Sequence, residues 1–390
     1  MTEAEQGGRQ LPSALLIVLY LAFALTGVLT ALPGPLLPIL SKKWLLNDAH
    51  AGWIVGAQFL GNLVGCLFTN RNPRLSRLLG LALVAIGTGT FVFLRWPGLL
   101  ASFFCYGMGL GLAIPAINLA IAAAAAPNKR SAALNLLNSV WGLGAISAPT
   151  LVLVSQHLAS IETLLAALGM SAALLLALSL SGPKTVSAAN TNQAVSTKAA
   201  HSLLFFAVGF FLYVGTETCI ASWISIFAQR TFPNAHLLGF SVVTYFWAAL
   251  VIGRAISAYV LKWTSERSLY IASAAIALLA FCAILGGKIP SVLALGTILC
   301  GLALAPIFPI LLSYAAGTFL THPNSGWVFA CAPLGGTLLP WATGQLSTAY
   351  STLHIGLLVP PAAILCLLAM GFGLAGEVKT PKAVVAELGN

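Results

Sequence analysis

Apolar residues run along this chain in long blocks that do not alternate with period two, and short clusters of Lys, Arg, Asn and Pro break them at intervals. A helix that crosses a bilayer takes roughly 20 mostly apolar residues, whereas the strands of a membrane barrel alternate over about ten. The blocks therefore read as spanning helices. Residues 12–40, 51–70, 77–95, 97–125, 132–156, 160–181, 201–228, 237–261, 268–287, 290–318, 325–348 and 352–375 are the twelve predicted spans. The first has only Arg9 as a basic residue ahead of it, is longer than a signal-peptide core, and leads to no small-residue cleavage site followed by a soluble domain. It is expected to stay as a helix.

Composition agrees with this pattern: hydrophobic residues make up 59%, charged residues 7%, and the mean hydropathy is +0.96. A soluble domain carries about 25% charged residues, so the expectation is an all-α, multi-pass integral membrane protein in a lipid bilayer, of the kind found in a bacterial inner (plasma) membrane. Cytoplasmic loops collect Lys and Arg. With both termini inside, Lys42, Lys43, Arg95, Arg230 and Lys288 fall outside and the rest of the 18 basic residues fall inside. This predicts cytoplasmic termini and accounts for the net charge of +10 without nucleic acid.

The seven cysteines all lie in apolar spans without metal-ligand spacing, and all six histidines lie at span ends or in loops, so no disulfide framework, metal site or cofactor is expected. No Walker loop supports ATP-driven transport, and no convergent His, Asp, Glu or Cys set supports an enzyme.

The stretch 182–198 is polar and poor in large apolar residues, which reads as a linker. The expected organisation is a six-helix bundle over 1–181, a cytoplasmic linker over 182–200, a second six-helix bundle over 201–376 and a cytoplasmic tail over 377–390. The halves echo each other. Gly109-Leu-Gly-Leu-Ala113 returns 192 residues later as Gly301-Leu-Ala-Leu-Ala305, Gly61 maps to Gly253 at the same offset, and Leu143-Gly-Ala145 with Pro149 maps at 191 to Leu334-Gly-Gly336 with Pro340. Pro33, Pro35 and Pro38 break the end of the first span, and Pro306 and Pro309 break the tenth.

Twelve helices in two pseudo-symmetric six-helix bundles is the plan of the major facilitator transporters, in which substrate binds near the midplane between halves. Within that superfamily the chain resembles the branch of fucose:proton symporters and glucose and mannose permeases. The resembling pieces are Tyr213-Val-Gly-Thr-Glu217 with Ser222 and Trp223, Leu134-Asn-Leu-Leu-Asn138 with Trp141-Gly-Leu-Gly144, Gly253-Arg254, and Gly301 to Pro309. Two features depart from the pattern. The loop after the second span has Asn70 where the superfamily signature has an acid, beside Arg71 and Arg74. The resemblance also implies a carboxylate shortly before Asn118 and another in the first helix; Ile114 stands at the first place, and 12–40 has no Asp or Glu.

One acid, Glu217, lies in the interior of an apolar segment, where a carboxylate costs about 2.5 kcal/mol or more on insertion scales and marks a site by default. It could carry a coupling proton, bond substrate hydroxyls, or tie the seventh helix to a neighbour. Sugars are held by amides and carboxylates on their hydroxyls and by aromatic faces on their apolar side. The substrate-binding candidates are therefore Gln58, Asn118, Asn135, Asn138, Trp141, Tyr213, Glu217, Trp223, Tyr245 and Trp247, with Ser313 also at mid-span. Arg254, near the cytoplasmic end of its span, is the expected gate. The expected function is secondary active or facilitative transport of a small neutral polar solute, a monosaccharide first, by a monomer that needs no cofactor beyond a coupling proton. The alternative is a permease or exporter of a lipophilic compound or small peptide.

Overall fold

A computed structural model describes residues 12–69, 72–125, 129–180, 198–235, 237–319 and 325–374. Among the described residues the secondary structure is helical throughout. The first half holds α1 (Ser13–Ala31), α2 (Pro33–Lys43), α3 (Asp48–Leu67), α4 (Pro73–Thr90), α5 (Leu99–Ala124), α6 (Arg130–Leu158) and α7 (Ile161–Leu180). The second holds α8 (Lys198–Thr231), α9 (Leu238–Val260), α10 (Glu266–Gly286), α11 (Pro290–Leu304), α12 (Ile307–Phe319), α13 (Ser325–Ala349), α14 (Leu353–Gly356) and α15 (Val359–Gly373). All twelve predicted spans are present, and the differences lie at proline breaks. Residues 12–40 become α1 and α2, because Pro33 has no N–H to continue the ladder and opens a new helix instead. The tenth span divides at 305–306 before α12, and the twelfth becomes α14 and α15. Most of the linker and all of the tail expected over 377–390 lie outside the described residues, as do Asn70 and Arg71.

Side chains bonded across helix ends order the bundle. Lys43 at the end of α2 pairs with Glu162 in the first turn of α7. Arg74 at the start of α4 donates to the Leu180 carbonyl at the end of α7, at 2.6 Å, and Arg267 at the start of α10 donates to the Gly371 and Phe372 carbonyls at the end of α15. The helices thus run alternately between two faces. The near face carries the start of α1, the end of α7 and the start of α8; the far face lies opposite.

Within each half, glycines bring backbones together, the usual way for helices to associate where no hydrophobic force drives them. A Cβ built on Gly107 of α5 would lie 2.0 Å from the Gln58 carbonyl oxygen of α3, and one on Gly61 would lie 2.1 Å from that of Phe104. The internal repeat is visible in the same contacts. Gly144 of α6 meets the Ala24 carbonyl of α1 at 2.1 Å from an ideal Cβ, and Gly335 of α13 meets the Phe211 carbonyl of α8 at 1.9 Å. The fifth span is locked to the first in one half as the eleventh is to the seventh in the other. Gly61 and Gly253 likewise each face the fourth span of their own half. The third match does not extend to contacts, since Gly109 meets Gly80 of α4 whereas Gly301 meets Phe246 of α9.

Filling these contacts is expected to be destabilising. Gly144→Val and Gly335→Val overpack a backbone-on-backbone crossing, with a cost of about 1–3 kcal/mol or more, read as a lower Tm and lower yield of detergent-purified protein. Gly89→Ala, whose Cβ would meet nothing within 4 Å, should leave both unchanged or improved.

Candidate functional site

The halves meet along a seam that begins at the far face. α3 packs on α13 along this seam, flanked by α2 on α8 and α6 on α9. At its outer end Asp48, in the first turn of α3, is buried and accepts both arms of the Arg230 guanidinium from the last turn of α8, at 2.6 and 2.7 Å. It also accepts the Ser347 hydroxyl of α13 at 2.5 Å, while the Ala49 N–H donates to Thr348 at 2.8 Å. The sequence places these groups well: a carboxylate at a helix N-terminus and a guanidinium at a helix C-terminus each complement the helix dipole, and the bidentate fork fixes their geometry. One turn deeper Gly52 sits against Pro340 and Trp341, and the Trp341 ring meets Trp53 at 5.7 Å. Deeper still, Gly56 faces Thr337 and Phe59 covers Gly336.

At mid-depth the contacts change. Gly34 of α2 rests on Ala221 of α8, Gly142 of α6 rests on Val251 of α9, and Trp141 stands edge-on to Trp247 with ring centres 5.7 Å apart. Nearer than this level, no hydrogen bond, ion pair or ring contact crosses between the halves among the described residues. Helical periodicity identifies what the parted faces present. With about 3.6 residues per turn, Asn138 and Asn135 lie one and two turns from Gly142 on its face of α6, and both are exposed, Asn138 donating back to the Leu134 carbonyl at 2.9 Å. Glu217 lies one turn from Ala221 on α8, half-buried and midway along the apolar stretch Leu203–Thr231. Arg254 lies two turns from Trp247 on α9. These faces bound the candidate cleft between the halves, which the Asp48–Arg230 junction ties at the far side; Tyr213 and Trp247 beside it are themselves buried, 1% and 2% exposed.

The charged groups of the cleft form one cluster. The Tyr213 hydroxyl, a turn from Glu217 on α8, is turned toward both Glu217 and Arg254 without a well-aligned hydrogen bond to either. Arg254 is close enough to Glu217 to act on its charge, yet no ion pair joins them. The Nε atoms of Arg254 and the Trp247 indole are sealed from solvent and lack partners. The cluster therefore brings a carboxyl group and a guanidinium together with unpartnered donors on Tyr213, Arg254 and Trp247.

The other sequence candidates are placed differently. Gln58 is buried with its amide fully engaged: it donates to the Leu29 carbonyl at 3.3 Å and accepts the Tyr106 hydroxyl at 2.8 Å, joining α1, α3 and α5. Trp223 is buried between α8 and α13, and its indole N–H donates to the Pro340 carbonyl at 3.1 Å. Both are spent on packing, because an amide or indole among helices takes the nearest carbonyl. Tyr245 is exposed, on an open pocket at the far face beside Leu238, Ser241, Pro290 and Ala294 of the second half, away from the cleft. Asn118 is half-buried and turns back on its own helix, donating to the Ile114 carbonyl at 3.0 Å. Ser313 donates to Glu266 near the near face. Arg254, the expected gate, has both its charged and polar neighbours on α8, within its own half, so it does not bridge the halves. Asp48 and Arg230 do bridge them. Sequence reading set Asp48 outside the second span and counted Arg230 only as an outer positive charge. The available signal was their opposite charge at the ends of adjacent-face helices.

Comparison with known proteins gives a match of residues 19–323 to the family model described as Major Facilitator Superfamily. The glucose/galactose transporter of Brucella abortus biovar 1 (strain 9-941) is 26% identical over 92% of this chain and 93% of its own. The glucose/mannose transporter GlcP of Bacillus subtilis (strain 168) is 25% identical over 89% and 91%. Among solved structures, the E. coli fucose:proton symporter FucP shares the fold, with a TM-score of 0.58 and 18% identity over 93% of this chain and 98% of that one.

The far-face junction yields a direct test. Asp48→Asn or Arg230→Gln should cost about 1–3 kcal/mol, less than a fully buried pair because Arg230 is half exposed. Hydrogen exchange should rise around 337–348 and in the first turns of α3. The exchanged pair Asp48→Arg/Arg230→Asp should recover part of the loss, and exchange unchanged in all three variants would deny the junction a role in closing the far face.

Proposed function

The chain belongs to the Major Facilitator Superfamily, and from that premise we propose that it carries a monosaccharide of the hexose or deoxyhexose class across the plasma membrane by alternating access, with both termini in the cytoplasm. It is a transporter rather than an enzyme. The observation that carries the sugar reading is full-length similarity to two hexose transporters. The candidate cleft supports it: the Tyr213 hydroxyl, the Arg254 Nε and the Trp247 indole have no hydrogen-bond partner, Glu217 lies beside Tyr213 and Arg254, and Trp141 of the opposite half meets Trp247. Donors and acceptors in that mixture suit a ring of hydroxyls, and an aromatic edge suits its apolar face.

In this reading the near face is cytoplasmic and the structure is the inward-open state. Asn138 and Trp141 bind from the first half, and Tyr213, Glu217 and Trp247 bind from the second. Glu217 also exchanges the coupling proton. It is the acid at mid-depth, and Arg254 on α9 lies near it without forming an ion pair.

Uptake into proteoliposomes decides between these roles. Wild type should accumulate labelled glucose, galactose, mannose or fucose when a proton gradient is imposed. Glu217→Gln should equilibrate the same sugar without accumulating it. Asn138→Ala should weaken uptake by about tenfold through KM, the size expected when a hydrogen bond of about 1.4 kcal/mol is lost. Accumulation by Glu217→Gln equal to wild type would remove the coupling role, and no uptake or competition by any sugar in the panel would remove the substrate class.

A further inference from the structure

Between the mid-depth cluster and the far junction, the seam buries hydroxyls where packing alone would use apolar side chains. Gly34 of α2 marks the line of contact: an ideal Cβ on it would lie 2.2 Å from the Ala221 carbonyl oxygen and 3.6 Å from the Ser222 Cα of α8. With about 3.6 residues per turn, Thr218 lies one turn to the near side of Ser222 on that face of α8, and Ser225 lies about one turn to the far side. Thr218, Ser222 and Ser225 are 7%, 3% and 0% exposed. Both helices run from the near face to the far one. Ser41, two turns beyond Gly34 on the same face of α2, therefore lies opposite the stretch of α8 just past Ser225. The Oγ atoms of Ser41 and Ser225 are sealed from solvent, and neither has a hydrogen-bond partner.

A helical serine can return its hydroxyl to a carbonyl one turn back, as Ser139, Ser155 and Ser257 do. Ser41 and Ser225 do not. Apolar closure is the rule beside them, with Leu36, Leu37 and Leu40 buried on α2 and Ile224, Ile226 and Phe227 on α8. A sealed hydroxyl without a partner costs free energy in this state, and that cost ends when water or a hydroxylated solute enters between α2 and α8 as the far face opens. The strip begins at Thr218, next to Glu217 in the chain, and runs toward the Asp48–Arg230 junction. Neutral groups that both donate and accept suit a ring of hydroxyls and offer nothing to a lipophilic solute.

We propose that Ser41 and Ser225, flanked by Ser222 and Thr218, form a second, far-side binding position for the transported solute, reached when the Asp48–Arg230 junction parts. The position rests on the monosaccharide reading above, and sugar hydroxyls take up the two unpartnered serines there.

The test is labelling of Ser225→Cys and Ser41→Cys in the full-length protein by a membrane-impermeant methanethiosulfonate reagent. Wild type, with its own seven cysteines, and Ser102→Cys, buried inside the first half, are the baselines. Reagent added to intact cells, where the far face is outside in the proposed orientation, should label both seam variants faster than both baselines, and faster still in the Asp48→Asn background. Excess glucose, galactose, mannose or fucose should slow labelling at least fivefold. In Ser41→Cys, adding Ser225→Ala should raise the half-protecting sugar concentration about fivefold, the size expected for one lost hydrogen bond. Labelling no faster than in Ser102→Cys would overturn the position, as would a half-protecting concentration that Ser225→Ala leaves unchanged. Uptake of a sugar that gives no protection would sink this position alone, whereas no uptake of any sugar in the panel would sink the reading on which it rests.

Discussion

Everything that distinguishes the two faces of this molecule follows from the seam between α3 and α13. These two spans are absent from the set of helices apolar enough to cross a bilayer by composition alone. They tolerate that because each hides much of its surface against the other, away from lipid. Glycines at 52, 56, 336 and 344 let them lie close, and the Asp48 carboxylate fastens the outer end. Desolvating that carboxylate is offset by three charge-assisted donors arriving from α8 and α13. Were the far end not fastened, the cleft would have no reason to open on one side only.

Backbone crossings occur both within a half and between halves, where Gly34 rests on the Ala221 carbonyl and Gly344 on that of Asp48. Gly144 on Ala24, Gly335 on Phe211 and Gly107 on Gln58 set backbone against backbone, where no side chain can rotate to make room. At mid-depth between halves, Gly142 meets the Val251 side chain and Gly336 meets the Phe59 ring, and such surfaces can roll. Those side-chain contacts are the compliant part of the seam, about which two halves that keep their shape can rock.

Spans, halves and repeat were legible in the sequence because hydrocarbon imposes one rule on every residue that enters it. Length and composition then mark out twelve spans, although α3 and α13 are less apolar than the rest, and proline chemistry finds the breaks in the first and tenth. The site was legible only in part. Glu217, Tyr213, Asn138, Trp141 and Trp247, the residues of the proposed site, stand out in the sequence because a polar or aromatic group in the middle of a span is costly and so conspicuous. Gln58 and Trp223 are equally conspicuous and turned out to bond neighbouring carbonyls. Periodicity tells which residues share a face of one helix; it does not tell which helix covers that face. Asp48 and Arg230 were missed for a related reason. At helix ends an ionisable group is cheap, so nothing in the local pattern singles out two charges 182 positions apart that meet across the seam.

The two charge clusters then divide the work by where their members sit. Asp48 and Arg230 belong to different halves, so any motion that opens the far face must separate them, and their energy counts toward the closed far side alone. Glu217, Tyr213 and Arg254 all belong to the second half and travel together, so rocking changes the water and the partner they face without breaking their mutual balance. A ligand or proton arriving at that cluster acts on charges whose spacing the cycle leaves intact, while the far junction reports only whether the cycle has turned. In the proposed cycle, recognition and state are set by separate ion groups, because the one lies within one half and the other lies across the boundary between halves.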